Sequence, residues 1–208
     1  MNQDSNTKIK SFWKWFVENE IRIRDVLDSD LQSEKEALIN DLDNQILDFG
    51  MFTWEIGHGS EKSFFLTISP NGNRERLGIS RSIMKSAPDL SDWEFYYAKP
   101  TKDWDLQFSL FDNNVVEQQV NARGWSFALI RQQDNKIKII IEADNIAHLD
   151  FDTQLTAADL VVTGMLGEEL KIMSVGDIEI VNKFEDWHRS YSLPILSLKE
   201  GFEALLLK

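Results

Sequence analysis

The sequence predicts an α+β fold with mainly antiparallel sheet, for three reasons. Apolar residues recur at helical spacing from Ile9 to Ile46. Short alternating runs then follow one another, each bounded by turn residues. The order ββαβ occurs twice, about Trp54 to Lys99 and about Trp125 to Asn182. Runs of strands with helices on one face belong to α+β architectures.

Each element has its own signal. Phe12, Trp13, Phe16, Val17 and Ile21 recur at three- and four-residue steps and predict a first helix from Ile9. Ser29 followed by Gln32 fits a capping box, and Leu31, Leu38, Leu42 and Ile46 mark a second helix that Gly50 stops. Phe52, Trp54 and Ile56 then alternate with polar residues, as in a half-buried strand. His58-Gly59-Ser60 is a turn, and Ser63 to Ser69 is the returning strand of a hairpin. Pro70-Asn71-Gly72-Asn73 is a turn leading into a helix within Arg74 to Ala87, which Pro88 ends. Trp93, Phe95 and Tyr97 form the next strand.

The second half repeats that order. Trp125, Phe127 and Leu129 alternate, Gln133-Asp134-Asn135 turns, and Lys136 to Ala143 returns. A helix capped by Asp152 or Thr153 and stopped by Gly167 follows, then a short strand at Ile178 and Ile180 and a closing helix over Leu196 to Leu207. Between the halves, Leu106, Phe108 and Leu110 alternate and can add a strand. Residues 1–102 form the N-terminal helices with the first half, and 103–208 the second half; no Ser/Gly-rich linker divides them, so they are expected to pack together. Residue identities match poorly between the halves, so either a structural duplication or a chance recurrence explains the order.

Composition bounds the function. The 208 residues include no cysteine, which excludes disulfides, thiol nucleophiles and Cys-ligated zinc. Seven tryptophans and a hydrophobic content of 42% support a substantial core. The formal net charge of −13, spread along the chain, repels nucleic acid and anionic lipid. Met1 to Lys10 is polar, unlike a signal peptide, and no apolar run approaches the ~18 residues that cross a membrane. A cytoplasmic location is the default expectation.

Catalytic patterns are missing. His58, His148 and His188 lie far apart in the chain, and only His58, between Gly57 and Gly59, has a setting that favours exposure and titration. There is no G-x-S-x-G elbow, no Ser-x-x-Lys and no Walker lysine. Asp177 and Glu179 fall on one face of a strand, where they either hold a hard cation or form a solvated acidic face. Glu168-Glu169, just beyond Gly167, either sit at a cleft edge, begin the next segment or are ordinary exposed acids. No cofactor or metal is implied, and the balance leans away from an enzyme.

The aromatics say more. Trp15 lies roughly 200° around the first helix from Trp13. It is either a partner contact or evidence of a helix buried on two sides. Trp104, between Asp103 and Asp105, either engages a basic partner or folds onto the core. Trp54, Trp93 and Trp125 can line a pocket between sheet and helices.

Several segments resemble a group of uncharacterised bacterial proteins with an N-terminal FWxWF-type helix. They are Phe12-Trp13-Lys14-Trp15-Phe16, Trp54-Glu55-Ile56-Gly57, Leu66 to Gly72, Ala87 to Trp93 and Leu166-Gly167-Glu168. The resemblance implies a stand-alone bacterial cytoplasmic protein and carries no activity, ligand or site residue. The expected function is a non-catalytic protein-binding or regulatory module with a basic protein as partner; an immunity-type protein that masks a toxin is one form of it. The alternative is a small-ligand binder with an aromatic-lined pocket, and a carboxylate-dependent enzyme comes third. Trp15, Trp54, His58, Trp93 and Trp104 are the candidate contact residues.

Overall fold

The computed structural model describes residues 3–207; Met1 and Asn2, part of the polar amino-terminal segment, lie outside them. The chain is α+β, with about 46% helix and 23% strand in antiparallel-rich sheets behind two N-terminal helices. It divides into two compact units, Met1–Lys99 and Pro100–Lys208.

In the first unit, helices α1 (Gln3–Asp28) and α2 (Gln32–Leu47) form a hairpin. Their antiparallel sense is visible in two bridges: Arg22 pairs with Asp41, and Lys8 Nζ donates to the main-chain oxygen of Asp48. The expected capping box is not made. Leu31, not Ser29, is the residue before the helix, and the Ser29 hydroxyl instead accepts from the Leu31 N–H at 3.0 Å, closing the interhelical turn. Gly50, at φ +118°, turns the chain out of α2 into strand β1 (Thr53–His58).

Strand β2 (Phe64–Ser69) pairs antiparallel with β1, Trp54 opposite Ile68 and His58 opposite Phe64. Asn71 and Gly72, both at positive φ, make the turn into α3 (Arg74–Lys85), and the Asn73 side chain caps that helix by accepting from the N–H groups of Glu75 and Arg76. Strand β3 (Trp93–Tyr96) then lies parallel to β2, giving the order β1-β2-β3. The core is an aromatic cluster. Phe16 meets Trp93 and Phe95 edge-on at 4.9 and 5.6 Å, and Trp13 meets Phe95 at 4.9 Å. The Trp13 indole N–H donates to the Ile83 carbonyl at 2.8 Å, fastening α1 to α3.

The second unit begins with a hairpin of β4 (Gln107–Phe111) and β5 (Glu117–Asn121), of which only the first strand had a sequence signal. Strands β6 (Ser126–Arg131) and β7 (Ile137–Glu142) pair antiparallel. Helix α4 (Phe151–Leu166) follows, then a short α5 (Glu168–Ser174), and β8 (Val175–Val181) lies parallel to β7. The cap of α4 is Asp150 rather than Asp152 or Thr153; its carboxylate accepts the Thr153 N–H at 3.0 Å. Gly167, at φ +79°, ends α4 as expected. A short α6 (Asp186–Arg189), a two-residue β9 (Leu193–Pro194) and α7 (Leu198–Leu206) complete the unit, with β9 antiparallel to β6. Ile137, Ile139 and Ile141 of β7 pack against Ala157, Ala158, Val161 and Val162 of α4 and Phe202 of α7.

The two ββαβ segments share their pairing as well as their order. In each, an antiparallel hairpin is followed by helix and then by a strand parallel to the second hairpin strand. They differ at one edge: β6 is covered by β9, whereas among the described residues β1 has no second neighbour in its sheet.

Candidate functional site

The site is a groove in the first unit, where the end of α1, the start of α2 and the edge strand β1 meet. Val26 and Leu27 come from α1, Lys35, Leu38 and Ile39 from α2, and Trp54, Glu55 and Ile56 from β1; together they enclose about 370 Å³. Helical spacing creates it. Leu38, Leu42 and Ile46 are the buried stripe of α2, and Ile39, one position on, falls outside that stripe and stays 45% exposed. On β1, Trp54 and Ile56 share a face because side chains alternate, and both pack against the core that the two helices cover. Glu55 lies on the opposite face, paired with Lys99 at 2.8 Å.

The groove is apolar, and the stretch of sequence that supplies its α2 wall is acidic. From 28 to 48 the chain carries seven acids (Asp28, Asp30, Glu34, Glu36, Asp41, Asp43 and Asp48) and one base, Lys35, for a net −6 of the protein's −13. Asp41 is balanced by Arg22. Asp43 accepts the Trp54 indole N–H at 2.7 Å, which fixes the ring at the groove wall and leaves the carboxylate charge in place.

A carboxylate clamp holds the far end of β1. Glu94 of β3 is nearly buried and accepts from the main-chain N–H of Glu61 at 2.6 Å, from that of Lys62 and from the Tyr96 hydroxyl. Burial pushes its pKa up. Hydrogen bonds from Tyr96 and from the N–H groups of Lys62 and Glu61 more than reverse this, so the carboxyl titrates below its ordinary value. Tyr96 is pushed up to about 12, by burial and then by the hydrogen bond and charge of Glu94. Gly59 makes the approach possible: a Cβ there would lie 2.6 Å from the Lys62 carbonyl oxygen and 2.8 Å from Glu94 Oε1. The loop of 59–63 is therefore wrapped around an internal anion.

The candidate residues separate by position. Trp54 lines the groove, and His58, exposed at the end of the same strand, has Nε2 3.7 Å from Asp28 Oδ1. Trp15 is half-buried and packs on the core, its ring 6.3 Å from Phe12. Trp93 is 1% exposed and donates its indole N–H to Glu20 at 2.8 Å, so it is a core residue with no face left for a partner. Trp104 belongs to the second unit, half-buried against Gly164 of α4 with its indole N–H unpartnered. Of the three tryptophans read as a pocket lining, Trp93 is buried in the core of the first unit, Trp54 packs against that same core, and Trp125 is buried in the core of the second unit.

The acids read as a possible cation site have another partner. Lys138, from the neighbouring β7, reaches both Asp177 and Glu179. Among the described residues no cluster of three or more His, Asp or Glu could hold a metal ion. Glu168 is buried rather than exposed. No described helix is long and apolar enough to cross a membrane. The groove residues Val26, Leu27 and Ile39 carried no functional signal in the sequence. No known protein family, no curated protein and no solved structure matches the chain.

Proposed function

We propose that the protein is a non-catalytic binding module whose first unit holds a basic protein partner. The observation that carries this is the apolar groove between α1, α2 and β1, set within a segment of net charge −6. Apolar burial supplies affinity at the groove, and the acidic segment speeds encounter with a cationic partner and rejects anionic ones. An immunity-type role, masking a basic toxin, is one form of this activity. The volume of about 370 Å³ supports a second reading, a small apolar ligand, since pockets for such ligands start near ~300 Å³.

The two readings separate by titration. A lysine-rich peptide with apolar anchors and a glutamate-rich counterpart are added to the intact protein at low and high salt. The module binds the lysine peptide alone, loses affinity as salt rises, and loses it again on Ile39→Glu. Binding neither peptide while taking up a neutral aromatic probe in a salt-independent manner would favour the small-ligand reading.

A further inference from the structure

We propose that the partner enters as an added β-strand on the free edge of β1, its main chain paired with Trp54, Ile56 and His58. This inference rests on the binding-module reading and specifies how the groove is used.

Ladder geometry selects those three residues. In an antiparallel pair, successive residues alternate between bonding across the pair and pointing outward. The Gly59 N–H donates to the Ser63 carbonyl, so Gly59 and Ser63 are a hydrogen-bonded pair. His58 and Phe64, the next pair, are not: the Phe64 N–H points the other way, to the Asp92 carbonyl. Counting back by two, the main-chain groups of His58, Ile56 and Trp54 all face away from β2. Nothing among the described residues bonds to them there. The residues that offer unpaired N–H and C=O groups thus include both β1 side chains that form the apolar wall of the groove.

The second unit shows the same edge filled. Its counterpart of β1 is β6, and there the extended Leu193–Pro194 pairs with Ser126 and Phe127, while the Ile195 N–H donates to the Trp125 carbonyl at 2.9 Å. Among the described residues, the first unit has the strand and lacks the cover. An exposed edge of this kind recruits an extended segment, with main-chain bonds giving affinity and alternate side chains giving selectivity.

Charge decides the occupant. A second copy of this chain would bring two −6 segments together, so self-pairing is disfavoured. A basic strand with apolar residues toward the helices fits: those side chains enter the groove beside Trp54 and Ile56, and its cations answer the net −6 of segment 28–48.

The test uses the intact protein and a capped heptapeptide alternating lysine with valine and leucine. Two N-methylated versions accompany it, one blocked at the lysine amides and one at the apolar amides. Backbone amide exchange is followed by NMR with and without peptide. Strand addition predicts that the amides of Trp54, Ile56 and His58 exchange freely in the protein alone and become protected with peptide. It also predicts that one methylated version binds at least about tenfold more weakly than the parent. Peptide binding that leaves these amides unprotected, or that neither methylation weakens, would overturn strand addition while keeping the binding module. Protection already present in the protein alone and lost on dilution would assign the edge to a second copy and overturn it as well. No peptide binding even at low salt would remove both proposals.

Discussion

Replacing Glu94 tests whether its carboxylate is what holds the loop of 59–63 and, through it, the end of the β1 edge. In the native protein this nearly buried group accepts from two main-chain N–H groups and the Tyr96 hydroxyl. Hydrogen bonds to a charged acceptor contribute about 1.5–3 kcal/mol each, but the two loop N–H groups can turn to water once released. Glu94→Ala is therefore expected to cost about 2–3 kcal/mol and Glu94→Gln about 1 kcal/mol, since the amide oxygen still accepts. With a urea slope of about 1–3 kcal/mol per molar, the alanine variant's midpoint falls by about 1 M. The pH dependence has a definite sign. Because the folded Glu94 pKa lies below the ordinary 4.5, its contribution is fully present above that value and is lost as pH falls through the folded value. The gap between wild type and Glu94→Gln should thus be full at pH 7 and close in acid. The assay is urea unfolding followed by tryptophan fluorescence across that range. An unchanged midpoint for Glu94→Ala at pH 7, or a gap that widens in acid, would refute the clamp.

Other outcomes follow from single contacts. Tyr96, raised from 10.0 to about 12, contributes stability that is fully present below pH 10 and lost as pH rises through its folded value; absorbance titration of Glu94→Gln should move its late phenolic step toward the ordinary value. Gly59→Ala forces a Cβ to 2.6 Å from the Lys62 carbonyl and should lower the urea midpoint by an amount similar to Glu94→Ala, with little further loss in the double variant. Gly164→Ala places a Cβ 2.8 Å from Trp104 Cζ2 and should destabilise the second unit by about 1–3 kcal/mol, read as earlier amide exchange in α4. Ile39→Glu, on a side chain 45% exposed, should change the urea midpoint little yet weaken peptide binding.

Much of the fold was legible because its signals are local. Asn73 and Gly167 announce the start of α3 and the end of α4 by their own chemistry, and Trp54-Ile56 alternation marks β1 without reference to anything distant. What escaped depends on tertiary partners. Strand β5 reads Glu-Gln-Gln-Val-Asn and buries only Val120, so its pairing with β4 leaves almost no hydrophobic pattern. Strand β9 is two residues held by β6, and α6 is a single turn. The Asp150 cap was missed because three oxygen-bearing residues compete within four positions, and the one chosen depends on where the preceding turn ends. Asp177 and Glu179 were legible as a same-face pair, but Lys138, which pairs with both, comes from a different strand.

The site divides in the same way. Trp54 was read as a strand residue and His58 as part of the turn after it, whereas both belong to β1, which ends at His58. Trp93 looked equivalent to Trp54 in sequence, since both alternate in short strands, but β1 is an edge and β3 meets the α1 aromatics. Whether a strand lies at the edge is a property of the sheet order, which no local pattern encodes. The acidity of 28–48 was readable as charge, but its meaning came from the groove that the same helix encloses.

The central claim is that a basic protein occupies the groove of the first unit, and site-specific crosslinking tests it most directly. A photoactivatable residue is placed at position 39, in the groove, and in a second protein at position 133, in the exposed β6–β7 turn, and each is irradiated in the cell that makes the protein. The account predicts a discrete adduct from position 39 alone, mapped to an extended segment of a basic protein and lost when Trp54 and Ile56 are both changed to alanine. The same adducts from both positions, or none from position 39, would contradict it.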